Sequence, residues 1–189
     1  SILDVGAYNG EFLMLCRSLG WTDIHGTEIN DQIARIANEN LGLNVVRKDF
    51  LHGKLSTFSD SSIDTVVCME VLEHLEDDIE GFHELLRVAK KRVIVTVPYM
   101  EKVTMHLCVH CNNFTPSFSH LHELYDEKSF QDSLPYNWKQ IKAKPFGNVI
   151  TRVLSKFFPH KLLPAFDVLC SIIIKRKNTW ILYIFEKID

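Results

Sequence analysis

Residues 2–10, Ile-Leu-Asp-Val-Gly-Ala-Tyr-Asn-Gly, constrain the fold more than any other stretch of this 189-residue chain. A short apolar run stops at Asp4, two glycines follow, and an amphipathic helical pattern begins at Glu11. The order is buried strand, glycine loop, helix. Gly6 and Gly10 let the backbone approach a ligand where a Cβ would obstruct it. The helix that follows offers free N–H groups at its start. A unit of this kind points to a nucleotide-type cofactor.

The pattern repeats. A helix is predicted over Glu11 to Leu19, with Phe12, Leu15, Cys16 and Leu19 on one face and Gly20 as its stop. A strand over Asp23 to Thr27 ends at Glu28, Asn30 caps a second helix, and Gly42 terminates it after inward Ile33, Ile36, Ala37 and Leu41. Asn44 to Arg47 reads as a third strand closing at Asp49. After a polar turn at Ser59 to Ser62, Ile63 to Met69 reads as a fourth strand. Asp78 to Lys90 is a helix with Ile79, Phe82, Leu85, Leu86 and Ala89 inward, and Arg92 to Val97 is a β-branched fifth strand ended by Pro98. Strict alternation implies an α/β fold: a parallel sheet covered by helices on both faces.

Beyond Pro98 the period loosens. Residues 99–125 form a long connection of the sort that usually carries function. Asp126 is expected to cap a short helix to Leu134, stopped by Pro135. Trp138 to Ala143 reads as a strand, two apolar helical segments follow near 148–158 and 162–174, and Trp180 to Glu186 reads as a last strand near a sheet edge. The whole of 1–189 is read as one domain: a cofactor core over 1–98, the 99–125 loop, and acceptor-side elements over 126–189.

In open α/β sheets ligands sit at the carboxyl ends of the strands. Glu28 and Asp49 stand at two such ends. The first is placed to accept hydrogen bonds from two ribose hydroxyls, the second from an exocyclic amine of adenine; capping of the next element is the plainer alternative for both.

Asp4-Val-Gly6-Ala7-Tyr8-Asn-Gly10, Glu28, Asp49 and Cys68-Met69-Glu70-Val-Leu-Glu73-His74-Leu75 together resemble the class I S-adenosylmethionine (SAM)-dependent methyltransferases, in the broad group of quinone-biosynthesis and small-molecule enzymes. The resemblance covers roughly residues 2–100 and extends to the terminal strand. It implies a Rossmann-like sheet of seven strands, mostly parallel, the last antiparallel and inserted beside the fifth. It also implies roles. Gly6 and Gly10 flank the methionyl part, Glu28 holds the ribose, and Asp49 and Phe50 flank the adenine. Met69, Glu70 and His74 lie near the carboxypropyl group and the methyl-transfer position, and Asp4, Ala7 and Ile29 belong to the same cofactor site. Tyr8 departs from the family, which usually has glycine there. His74, His120, His122 and Tyr99 are candidate bases, required only for an acceptor that must lose a proton.

An NAD(P)-dependent reductase is the competing enzyme class. Its Gly-x-Gly-x-x-Gly fingerprint would place Tyr8 and Glu11 where glycines must stand, and an acid at that helix start repels a pyrophosphate. A non-catalytic interaction module on the same fold is the third reading.

Cys108 and Cys111, with His120 and His122, form a candidate Cys₂His₂ zinc site stapling the 99–125 loop, with His106 or His110 as substitutes for either histidine; a reduced cysteine pair with the histidines exposed or lining a pocket is the alternative. Cys16, Cys68 and Cys170 read as core residues. Five cysteines and no secretory signal argue against a disulfide framework and for a cytoplasmic protein. The first strand is already under way at Ser1, so a short lead-in is expected before it. A net charge of −3 gives no strong nucleic-acid signal, and a small-molecule acceptor is favoured. The apolar 148–177 stretch, ending Lys175-Arg176-Lys177, is too interrupted to span a bilayer; it reads as a helical cover or as a peripheral membrane contact.

Overall fold

A computed structural model of the chain describes residues 1–43, 45–47, 50, 54–148 and 178–188. Alternation of apolar runs and amphipathic helices produces β1 (Ile2–Val5), α1 (Glu11–Ser18), β2 (Ile24–Glu28), α2 (Asp31–Leu41), β3 (Val45–Arg47), β4 (Ile63–Met69), α3 (Asp78–Val88) and β5 (Ala89–Pro98). After these come the small hairpin of β6 (Met105–Leu107) and β7 (Phe114–Pro116), then the long strands β8 (Trp138–Asn148) and β9 (Asn178–Lys187). Seven strands join in the order β3-β2-β1-β4-β5-β9-β8. Pairing is parallel from β3 through β5, and β9 runs antiparallel between β5 and β8. The α/β class, the mostly parallel sheet and the inserted antiparallel last strand are as the sequence implied.

Residues alternate between the two faces of the sheet, as the pleat requires. Leu3 and Val5 of β1 join Val66, Cys68, Val93 and Val95 in one core, under α3 through Phe82, Leu85 and Leu86. Ile2, Val67 and Ile24 join the other, under Leu13 and Cys16 of α1 and Ala34 and Ala37 of α2. Helices therefore cover both faces. Two predicted helix faces are rotated: Leu15, Leu19 and Ile36 are exposed, while Leu13 and Ala34 are buried. Asn30 caps α2 as expected, its Oδ1 accepting from the N–H groups of Gln32 and Ile33 at 2.9 and 3.2 Å.

Residues 126–134 are turns and one 3-10 turn, Gln131–Ser133, rather than the predicted α-helix. Their purpose is to bury Phe130. Its ring lies 4.6 Å from Phe82, 5.1 Å from Tyr183 and 5.8 Å from Tyr125, centroid to centroid. β8 runs five residues beyond its predicted end, through Pro145; among the described residues it pairs with β9 alone, and an edge strand tolerates a missing N–H. The predicted helices near 148–158 and 162–174, and Cys170, lie outside the described residues.

Gly81 shows how tightly α3 sits over the end of β4. A Cβ there would stand 2.2 Å from Leu75 Cδ1 and 3.3 Å from Leu72 Cδ2. Gly81→Ala gains about 1 kcal/mol of helix propensity but overpacks the core at a cost of about 1–3 kcal/mol. A lower melting temperature than wild type is the expected result of thermal unfolding; an unchanged or higher one would show that Leu75 yields freely.

Candidate active site

β1, β2 and β4 are in register, Val5 facing Thr27 on one side and Cys68 on the other, so the residues that follow them meet at one edge. β1 is flanked by β2 and β4, which makes this the point where the strand order reverses and ligands bind. A cavity of about 420 Å³ opens there, lined by residues from all three strand ends: Gly6 and Tyr8, Thr27 to Ile29, and Met69 to Val71, with Phe50, His74 and Leu75 closing it.

Glu28 is the organising residue. Its Oε2 accepts the N–H of Tyr8 and its Oε1 the N–H of Asn30, both at 2.9 Å. The side chain is thus locked between the β1 loop and the start of α2, and it is buried. A carboxylate has about four lone-pair sites, so each oxygen retains one for a ligand hydroxyl. Its sequence neighbour Thr27 also lines the cavity, and the Thr27 Oγ1 is buried without a partner among the described residues. Thr27 was not anticipated; its position immediately before the strand-end acid is the signal that could have found it.

The glycines differ in what they do. Gly6, at φ +77°, lines the cavity, and a Cβ would come within 2.4 Å of Val71 Cγ2. Gly10, at φ +83°, packs under Leu43, whose Cδ1 stands 2.3 Å from the place of a Cβ. Gly10 and Ala7 are not among the cavity-lining residues; Gly10 shapes the loop through packing. Tyr8 adopts φ 47°, the left-handed conformation that explains the usual glycine there. Its side chain is 62% exposed while its N–H serves Glu28, so the phenol is accommodated at the rim.

At the end of β4, Glu70 is also left-handed, φ 56°. Thr96 Oγ1 donates to Glu70 Oε1 at 2.8 Å, and burial raises the Glu70 carboxyl above its ordinary pKa. Asp4 lies beneath the loop at 2% exposure and is not a lining residue; burial, with help from the Glu28 charge, pushes its pKa up to about 7. Asp49 lies outside the described residues, while Phe50 is placed in the wall as expected.

The raised Asp4 pKa carries a stability consequence. The unfolded chain releases this proton near pH 3.8 and the folded chain near 7, so the folded state binds more protons between them and stability falls as pH rises through that window. The effect is bounded by about 4 kcal/mol, from about 1.4 kcal/mol per pKa unit. Asp4→Asn is expected to melt higher than wild type at pH 8 and at the same temperature at pH 4. An equal difference at both pH values would contradict it.

The 99–125 segment folds back onto the Leu72–His74 turn that follows β4. The Glu73 carbonyl accepts the N–H of Leu121 at 2.7 Å and of His122 at 3.3 Å. His120 Nδ1 stands 2.6 Å from Glu101 Oε2, His122 Nε2 donates to the Leu75 carbonyl at 2.9 Å, and the Tyr99 hydroxyl donates to Glu127 at 3.1 Å. Of the candidate bases, His74 alone is among the cavity-lining residues.

The structure does not bring the Cys₂His₂ set together. Cys108 and Cys111 form the tip of the β6–β7 hairpin, closed by Asn112 N–H to the Cys108 carbonyl, whereas His120 and His122 are pinned to the Leu72–His74 turn. Among the described residues no three of these four bring their donor atoms together. Those that do converge, within 4.8 Å of one another, are Glu73, His74 and His120.

Sheet order, strand-end acid and glycine loop together define a Rossmann-like domain with a cavity at the switch point of its sheet. The family described as "Methyltransferase domain" matches residues 3–97. The chain belongs to this family, the class I SAM-dependent methyltransferases. Over 101 residues it is 33% identical to the bifunctional methionine biosynthesis protein MetXA/MetW of Rhodopirellula baltica; that segment is 50% of this chain and 16% of the relative's length. The fold is similar to that of an S-adenosylmethionine-dependent methyltransferase from Mesorhizobium loti, with TM-score 0.67, 12% identity, and 98% of this chain and 90% of that one covered. It is similar as well to Haemonchus contortus phosphoethanolamine N-methyltransferase 2 in complex with SAM, with TM-score 0.68, 14% identity, and 100% and 48% covered.

Proposed function

We propose that the chain transfers a methyl group from SAM to a small or lipid-like acceptor. The observation that carries this reading is Glu28, fixed by two backbone N–H groups at the wall of the strand-end cavity with lone pairs free for a ribose. The charge of the cavity agrees. Glu28 and Glu70 line it, Asp4 lies beneath, and no lysine or arginine is among its described lining residues. Such a wall attracts a sulfonium and repels a pyrophosphate, which disfavours the reductase reading.

Bound SAM supplies a methyl group already activated on a sulfonium. The protein's task is then to position and to exclude water. Glu28 fixes the ribose end, Gly6 lets the backbone approach closely, and Phe50 and Leu75 give the cavity an apolar wall. Acceptor choice falls to the 99–125 segment. It carries exposed Met105, Leu107, Phe114, Phe118 and Leu121, Phe118 at 79% exposure, and its Ser119 carbonyl reaches His74. That apolar surface favours an acceptor with hydrocarbon character over RNA. Among the described residues no helix is long and apolar enough to cross a membrane; a peripheral contact through 148–177 is a proposal alongside.

Incubation with methyl-tritiated SAM and a panel of phenols, amines, lipid extracts, protein and RNA tests the reading. Label is expected in the organic-extractable fraction, dependent on Glu28. Label confined to RNA or protein would overturn the acceptor class. SAH binding with transfer to no class would favour the interaction module.

A further inference from the structure

We infer that Glu73, His74 and His120 form a site for a divalent metal ion, Zn²⁺ by its donor set, at the acceptor side of the cofactor cavity. One donor atom from each of the three lies within 4.8 Å of the other two. Sequence spacing hides this, since His120 stands 46 positions beyond His74; the Leu121 N–H to Glu73 carbonyl bond joins the two segments.

Glu73 is an independent sign of a missing partner. Its side chain has no solvent exposure, and neither carboxylate oxygen has a hydrogen-bond partner among the described residues. Ionised, it is a buried charge without compensation; protonated, it is a buried donor without an acceptor. Either form is costly. A cation resolves both.

The two imidazoles are prepared in the way metal-binding histidines are. His74 Nδ1 donates to the Ser119 carbonyl at 3.1 Å, and His120 Nδ1 donates to the Glu101 carboxylate at 2.6 Å. Each hydrogen bond fixes the tautomer and leaves the Nε2 lone pair free. A carboxylate or carbonyl behind the ring is the usual outer support of a metal-bound imidazole. The rings meet edge to face, centroids 4.9 Å apart. Two imidazoles and one carboxylate suit zinc, and three protein ligands leave positions open.

His74 also lines the cofactor cavity, so an acceptor bound at an open position would lie beside it. The role given to the metal here rests on the methyltransferase reading. A coordinated hydroxyl acceptor loses its proton to solvent more readily than a free one. Its oxygen then bonds the methyl carbon as the methyl–sulfur bond breaks, and that electron pair remains on sulfur.

Chelator-treated full-length chain is titrated with ZnCl₂ by calorimetry and with Co²⁺ by absorption. One equivalent is expected to bind, with d–d bands of nitrogen and oxygen ligation and no thiolate charge-transfer band. Glu73→Gln and His120→Ala are expected to lose zinc affinity 100-fold or more, and Cys108→Ser/Cys111→Ser to keep it. SAH affinity of His120→Ala should stay within a few-fold of wild type, which separates loss of the site from loss of the fold. No saturable binding overturns the site, as does binding that survives Glu73→Gln and His120→Ala but vanishes with the cysteines. Wild type that binds zinc but not SAH upholds the site and defeats the cofactor reading; SAH without zinc does the reverse.

Discussion

Replacing Glu28 by alanine is expected to lower affinity for S-adenosylhomocysteine (SAH) by about 10²–10⁴-fold, at about 1.5–3 kcal/mol for each of two hydrogen bonds to a charged group and about 1.4 kcal/mol per tenfold. Two bonds to ribose hydroxyls are lost. The acceptors of the Tyr8 and Asn30 N–H groups disappear as well, so the loop that flanks the cofactor loses its anchor. Glu28→Gln should recover little, because an amide presents one oxygen where two N–H donors and two hydroxyls need acceptors. Calorimetry with SAH and with its 2′-deoxy and 3′-deoxy forms separates the two contributions. Removing a ligand hydroxyl should weaken binding to wild type and leave binding to Glu28→Ala nearly unchanged. Equal losses in both proteins would place the ribose elsewhere.

Phe130→Ala is the largest stability effect expected. The ring is fully buried between Phe82, Tyr125, Tyr183 and Phe185, from α3, the 99–125 segment and β9. Truncating such a ring costs about 3–5 kcal/mol, against a total of about 5–15 kcal/mol for a typical domain. The variant should melt far below wild type and populate the unfolded state in mild urea. A midpoint shift equivalent to less than about 1 kcal/mol would mean that the cluster repacks and that Phe130 is not the joint between these elements.

Phe130 also marks where the sequence was opaque. Residues 126–134 carry a helical spacing, yet the fold uses them as turns that deliver one aromatic ring; tertiary packing overrode local preference. The opposite holds for β4, whose bounds Ile63–Met69 follow directly from a polar turn before a β-branched run. The existence of α1, α2 and α3 was legible from period, but the faces of α1 and α2 were not. Leu15 and Leu13 are both apolar, and the packing partner decides which is buried. Gly6, Glu28, Ile29, Phe50, Met69, Glu70 and His74, singled out in the sequence, line one cavity because strand ends and motif coincide. Gly10 packs under Leu43 and is not among the cavity-lining residues, a difference from Gly6 that sequence does not show. The Cys108–Cys111 spacing drew attention to a hairpin tip, whereas the convergence of Glu73, His74 and His120 exists only in three dimensions.

A crystal structure of the chain grown with SAH tests the cavity assignment most directly. Both ribose hydroxyls are predicted within hydrogen-bond distance of the Glu28 carboxylate, with the adenosyl group enclosed by Gly6, Ile29, Phe50 and Leu75. Density for the ligand at another place, or none in a folded chain at saturating SAH, would contradict it.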